Sequence, residues 1–202
     1  MLAAGLAPQA FAQRRSGPSE VPVEELMKPG ELPDLALGSP DAKVTIVEFA
    51  SMTCGHCANF HNNVFPELKK KYIDTGKVRF ILREFPLDNL AAAGSMLARC
   101  AGGDKIYPML DMLFQRQADW VVRQNPVPKL FELAKQAGFT QESFDKCLTD
   151  DKLLSQLEAA RTRAGEAFGV TSTPTFFING KRLEGAPTMA EFDKTLEPLL
   201  KG

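Results

Sequence analysis

A strand pattern runs directly into Cys54-Gly55-His56-Cys57, and a helix pattern runs directly out of it. The nearly continuous apolar run Val44-Thr45-Ile46-Val47-Glu48-Phe49 reads as a buried strand. Phe60, Val64, Phe65, Leu68 and Tyr72 then recur at helical spacing. The two cysteines therefore sit where a strand ends and a helix begins. The unpaired N–H groups of a helix N-terminus carry partial positive charge and favour an anion, and a thiolate is such an anion. Cys54, outermost, is the expected nucleophile, and Cys57, one turn in, is placed to resolve a mixed disulfide. A C-x-x-C after a strand in a βαβ-type setting reads as a redox motif. The same pair is half of a zinc site if His61 joins it, but the remaining cysteines, Cys100 and Cys147, are far along the chain. A purely structural Cys54–Cys57 bond closes too short a loop to constrain the unfolded chain much.

The chain has 202 residues, enough for one domain with a sizeable core, with or without an insertion. Its formal net charge of -1 carries no basic signature for nucleic acid. No uninterrupted apolar stretch is long enough to cross a bilayer. Met1 to Ala12 is small and apolar and ends in Ala10-Phe11-Ala12, an A-x-A cleavage pattern with Gln13 as the first mature residue. Residues 1–12 thus read as a signal-peptide remnant lacking its basic region, the alternative being an ordinary unstructured N-terminus. Four cysteines, an even number, fit an oxidising compartment such as a periplasm.

Residues 13–33, rich in Pro, Glu and Gly, form an N-terminal arm in which Glu24 to Met27 has room for one helical turn. Such an arm could also serve contacts with a second copy. Asp34 to Leu37 is a short strand closed by a Gly38-Ser39-Pro40-Asp41 turn. The motif helix carries Pro66, which predicts a kink, and stops at Gly76. Val78 to Phe85 is a second long strand. Five helices are expected next: Leu90 to Ala101, Ile106 to Phe114, Val127 to Ala134, a short one capped by Thr140, and one from Asp150 or Asp151 to Phe168, stopped by Gly169. Thr175 to Ile178, Asn179-Gly180 and Lys181 to Glu184 spell a hairpin with a type I′ turn. Thr188 and Glu191 form a capping box for a last helix packed through Phe192, Leu196 and Leu199. The fold class is α/β, a mixed sheet with flanking helices in residues 34–86 and 169–202, interrupted by an all-helical insertion at 87–168.

Two stretches carry a family resemblance: Val47-Glu48-Phe49-Ala50-Ser51-Met52-Thr53-Cys54-Gly55-His56-Cys57, and Gly169-Val170-Thr171-Ser172-Thr173-Pro174-Thr175-Phe176-Phe177-Ile178-Asn179-Gly180. Together they resemble the DsbA family of thiol:disulfide oxidoreductases, over roughly Asp34 to Gly202. The resemblance implies a thioredoxin fold with an inserted helical domain, no cofactor, and work in the bacterial periplasm. It implies reduced or unfolded secreted polypeptides as substrates, and a membrane redox partner of DsbB type or a DsbD-type reductant. It also implies that Thr173-Pro174 is the cis-proline loop facing the cysteines, where the Thr173 backbone takes an extended substrate as an added strand; a trans-proline starting a strand is the plainer alternative. Gly55-His56 is the dipeptide usual in eukaryotic protein disulfide isomerases, whereas many DsbA proteins have Pro-His. Thr173 stands where strongly oxidising members often carry Val.

Other residues are assigned from their positions. His56, between the cysteines, can support the Cys54 thiolate by charge or hydrogen bond. His61 reads as an exposed helix residue without a role. Glu48 is a carboxylate inside an apolar run, expensive unless paired or protonated. The family often has an acid there, beneath the resolving cysteine, which makes Glu48 a candidate proton shuttle for Cys57; an ion-paired or edge-facing glutamate is the alternative. Cys100 and Cys147 each fall on or beside the apolar face of a short helix in the insertion, so they are expected to form a structural disulfide, or else to be two buried thiols. Met109, Met112, Phe114 and Trp120 are core residues or line a peptide groove. The competing functions are a disulfide donor, an isomerase or reductase kept reduced by a membrane partner, and a non-catalytic binding module or metal carrier using Cys54, His56 and Cys57.

Overall fold

A computed structural model describes residues 17–183, 185 and 187–201. The proposed cleavage segment 1–12 and the first residues of the arm lie outside them. Five strands form one mixed sheet in the order β1-β3-β2-β4-β5: β1 Leu35–Leu37, β2 Val44–Ala50, β3 Val78–Glu84, β4 Thr175–Ile178 and β5 Lys181–Leu183. Only β2 and β3 are parallel, and the other neighbours run antiparallel. The hairpin turn is as the sequence requires, with Asn179 and Gly180 both at positive φ (45° and 84°).

The period-2 alternation of β2, the central strand, divides the core. Val44, Ile46 and Ala50 face one side of the sheet, together with Phe80, Leu82, Phe176 and Ile178. Val47 and Phe49 face the other, with Ile81 and Phe177. The first side is covered by α2 (Gly55–Asn63), α3 (Phe65–Leu68) and α10 (Met189–Lys201), and it runs on without a gap into the helical layer. That layer holds α4 (Asn89–Ala101), α5 (Ile106–Gln115), α6 (Gln117–Trp120), α7 (Pro126–Gln136) and α8 (Gln141–Leu148). Met109, Phe114 and Trp120 are buried in it, so they build core and not a peptide groove. The second side is covered by α1 (Val23–Met27) and by α9 (Asp151–Phe168), whose Ala164 and Phe168 pack on Phe49 and Val47.

Some local outcomes differ from expectation. The motif helix does not kink at Pro66. It divides at Val64 (φ -112°), and Pro66 then occupies the first turn of α3, where its missing N–H costs nothing. A π-helical turn, Lys69–Ile73, follows α3. Four-residue α6 carries no periodic signal of its own. Leu199 is left 37% exposed, and α10 packs through Phe192 and Leu196. The described part of the arm is folded onto its own chain. Val21 N–H donates to Gly180 O at 2.8 Å, and Arg182 N–H donates to Ser19 O at 2.8 Å. Four arginines of the body fasten the rest through its carbonyls: Arg83 to Leu26 O, Arg99 to Pro33 O, Arg163 to Glu25 and Pro29 O, and Arg182 to Pro18 O.

Cys100 and Cys147 are bonded, joining the end of α4 to α8. Their separation of 47 residues closes a loop that in the chain-entropy view contributes about 4 kcal/mol. Replacing both with Ala should lower urea-unfolding stability by up to that amount, with the loss absent when wild type and variant are compared under reducing conditions.

Candidate active site

Cys54 is the N-cap of α2. Its backbone is extended (φ -80°, ψ 116°), and its sulfur accepts the Cys57 N–H at 3.4 Å. This is the arrangement that a C-x-x-C at a strand-to-helix junction dictates, because the cap side chain points back at the first-turn amides. On its other side the Cys54 thiol donates to Thr173 O at 3.2 Å. The Thr173–Pro174 peptide is cis. Both cysteines are free thiols, and their surroundings are opposite in effect.

Cys54 is lowered to about 5. The largest cause is the hydrogen bond from the Cys57 side chain; the Thr173 side chain and the N–H groups of Cys57 and His56 add to it, against a burial that opposes ionisation. Thr173 Oγ1 is buried and unpartnered among the described residues, so it is free to turn its hydrogen onto the sulfur once the proton leaves. The His56 ring itself is exposed, and what this residue lends Cys54 is its backbone N–H. Cys57 is 0% exposed, and burial pushes its thiol far up; the hydrogen bond to Cys54 and the charge of Glu48 push the same way.

Glu48 lies on the α2 side of β2, fully buried. Its Oε2 is 2.9 Å from His61 Nε2. His61 is thus neither exposed nor idle. It is 5% exposed, pairs with Glu48, and stacks on Phe114 of α5 with ring centroids 4.2 Å apart and planes at 13°. A signal was present in the sequence: His61 follows Cys57 by four residues and so shares its buried stripe. Because His61 faces Glu48, it does not complete a ligand set with the cysteines. Among the described residues no three His, Cys, Asp or Glu side chains converge in a metal-binding arrangement.

Two further residues escaped the sequence. Gln117 of α6 donates its side-chain amide to Met52 O at 2.8 Å and to Cys54 O at 3.0 Å, tying the helical layer to the active-site turn. Gly94 of α4 lets that turn approach: a methyl there would lie 3.0 Å from Trp120 and 3.1 Å from Met52. No linear pattern marks either, since both depend on a long-range approach.

The Thioredoxin family model matches residues 31–198, the span that holds the sheet, the cysteines and the cis-proline loop. The chain also superposes on the crystal structure of Wolbachia pipientis alpha-DsbA1 with a TM-score of 0.81 and 32% identity, covering 89% of this chain and 96% of that one. This chain belongs to the DsbA branch of the thioredoxin family. BdbD from Bacillus subtilis matches with a TM-score of 0.73 and 27% identity, over 93% of this DsbA-family chain and all of that one. A Rickettsia bellii relative named as a protein-disulfide oxidoreductase is 37% identical over 168 residues, 81% of this chain. The chain spans 65% of that relative's length. The thioredoxin fold with a helical insertion, read from element order and resemblance, is thereby established.

In the reduced protein, thiolate absorbance of Cys54 should titrate with a midpoint near pH 5, and the midpoint should rise in Cys57→Ala, which removes the largest support. Because the folded value lies below the ordinary one, ionisation stabilises the reduced fold. That stabilisation is complete above the ordinary thiol range near 9 and is lost as pH falls through about 5. Urea unfolding of the reduced protein against Cys54→Ser across this range measures it.

Proposed function

We propose that this chain is a periplasmic thiol:disulfide oxidoreductase that introduces disulfides into folding secreted proteins. The observation that carries this reading is the contrast between two sulfurs three residues apart: Cys54 caps a helix N-terminus, accepts the Cys57 N–H and is lowered to about 5, while Cys57 is fully buried and its thiol is pushed far up. A well-supported Cys54 thiolate stabilises the reduced form, so the oxidised form gives its disulfide away. In the forward step a substrate thiolate attacks Cys54 Sγ of the Cys54–Cys57 disulfide. The S–S bond breaks, Cys57 leaves with the electron pair, and it takes up a proton because its thiol is strongly favoured. Glu48 is the residue proposed to hand over that proton. The substrate's second thiolate then attacks the substrate sulfur of the mixed disulfide and expels Cys54 as thiolate. The substrate has lost two electrons and the protein has gained them. Return to the disulfide requires an oxidising partner, and a membrane protein of DsbB type fits the family.

Thr173 and Pro174 are proposed to border the substrate. Thr173 O already accepts from Cys54, which places that stretch of backbone against the nucleophile. An extended substrate pairing there presents its cysteine to Cys54. The periplasmic placement rests on the oxidising chemistry and the A-x-A pattern at Ala10-Phe11-Ala12. The described residues hold no helix long and apolar enough to cross a membrane.

Two measurements test this. Cys57→Ala should accumulate mixed disulfides with reduced substrates through Cys54, and adding Cys54→Ala should abolish them; trapping that instead needs Cys57 reverses the assignment. Equilibration with glutathione should place the Cys54/Cys57 couple between about -180 and about -120 mV. A value near about -270 mV would overturn the donor reading in favour of a reductase held reduced by a DsbD-type partner.

A further inference from the structure

Glu48 is completely buried, so without a route to solvent it can only pass one proton back and forth with Cys57 and cannot equilibrate with the bulk pH. Among the described residues, the side chain that hydrogen-bonds Glu48 is that of His61, its ring nitrogen 2.9 Å away. That ring is held flat against Phe114 of α5, and its second nitrogen, Nδ1, is buried without a hydrogen-bond partner among the described residues. An imidazole takes a proton on one nitrogen and releases the other from the opposite side of the ring. Asp111 lies three residues before Phe114, on the same face of α5, and is partly exposed.

We propose that His61 carries protons between sealed Glu48 and solvent along the α2/α5 contact, with Asp111 at the outlet. The proposal rests on the oxidoreductase reading and extends it. When Cys57 ionises to attack a mixed disulfide, its proton passes to Glu48. The resulting carboxylic acid gives a proton to His61 Nε2, and the imidazolium releases its Nδ1 proton toward Asp111 and water. Glu48 returns to carboxylate, and His61 returns to neutral with its tautomer exchanged. The reverse sequence protonates Cys57 when it is expelled from the disulfide. His61 touches neither substrate nor sulfur in this scheme; it acts through Glu48. Among the described residues, Cys57 on α2 and Tyr107 on α5 also feel the charge of Glu48, Tyr107 feels Glu84 and Asp111 as well, and Lys69 on the π-helical turn acts on Asp111. Tyr107 is held protonated by burial and donates to Leu35 O, so it offers no exit. Asp111 is raised by burial and drawn back down by the charge of His61 and then Lys69, which fits a group electrically coupled to the ring.

The test is single-turnover disulfide exchange of the full chain with a dithiol peptide, in both directions, from pH 5 to 8, in water and in deuterium oxide. His61→Gln keeps a donor for Glu48 but cannot pass a proton through its side chain. It should slow the steps that involve Cys57 about 10-fold or more, with an altered pH profile. Attack by Cys54 alone, read in the Cys57→Ala background, should be unchanged. Free imidazole should restore rate to His61→Ala, and pyrrole, which fills the same space without relaying a proton between two nitrogens, should not. Asp111→Asn, on the rim, should slow the same steps and spare Cys54 alkylation. Wild-type rates in both His61→Gln and Asp111→Asn, or a loss that imidazole does not relieve, overturn the relay while leaving the oxidoreductase intact. A wild-type chain that exchanges no disulfide in either direction overturns both.

Discussion

The sulfur of Cys54 caps a helix, and the rest of the molecule is arranged to keep it there. A cap needs an extended residue followed at once by a helical turn. The central strand delivers that by ending four residues before Cys54. Once the first-turn amides aim at the sulfur, the thiolate replaces the side-chain oxygen that usually caps a helix. Everything nearby then works on one difference in proton affinity. The Cys57 thiol, its N–H and Thr173 support charge on Cys54, while the sheet, α2 and Glu48 deny charge to Cys57.

That polarity depends on packing supplied from outside the sheet. Gln117 holds the carbonyls of Met52 and Cys54, and Gly94 makes room for Met52 against Trp120. Phe114 fixes the ring of His61. All three come from the helices inserted between β3 and β4. The insertion therefore completes the active-site floor and shares a continuous core with the sheet. Its Cys100–Cys147 bond joins α4, which carries Gly94, to α8.

Much of this was written locally. The alternation in β2, the caps at Thr140, Asp150 and Thr188, the stop at Gly169 and the Asn179-Gly180 turn each follow from a few neighbouring residues, and each formed. The order of those elements carried the fold. Legibility failed where the deciding partner is distant in sequence. Glu48 was visibly anomalous, but its partner lies 13 residues away on another element. His61 reads as a surface residue because its ring is polar, and only its place one turn after Cys57 shows that it belongs to the buried stripe. Pro66 implies a kink only in an unbroken helix, and the chain restarts its helix just ahead of it.

The four arginines that hold the arm bind its carbonyl oxygens, groups that every residue type possesses. Such a clasp recognises the path of a chain and is blind to its side chains. Variation should therefore be distributed unequally across this contact. Outside buried Val21 and Leu26, and Gly17, where a Cβ would lie 2.2 Å from Gly169 O, the arm is open to change so long as its length and course survive. The arginines are not, because no other side chain presents a planar fork of donors to reach two carbonyls or a carbonyl and a carboxylate together. Comparing close variants of this chain should find constancy on the body and drift on the strap it holds.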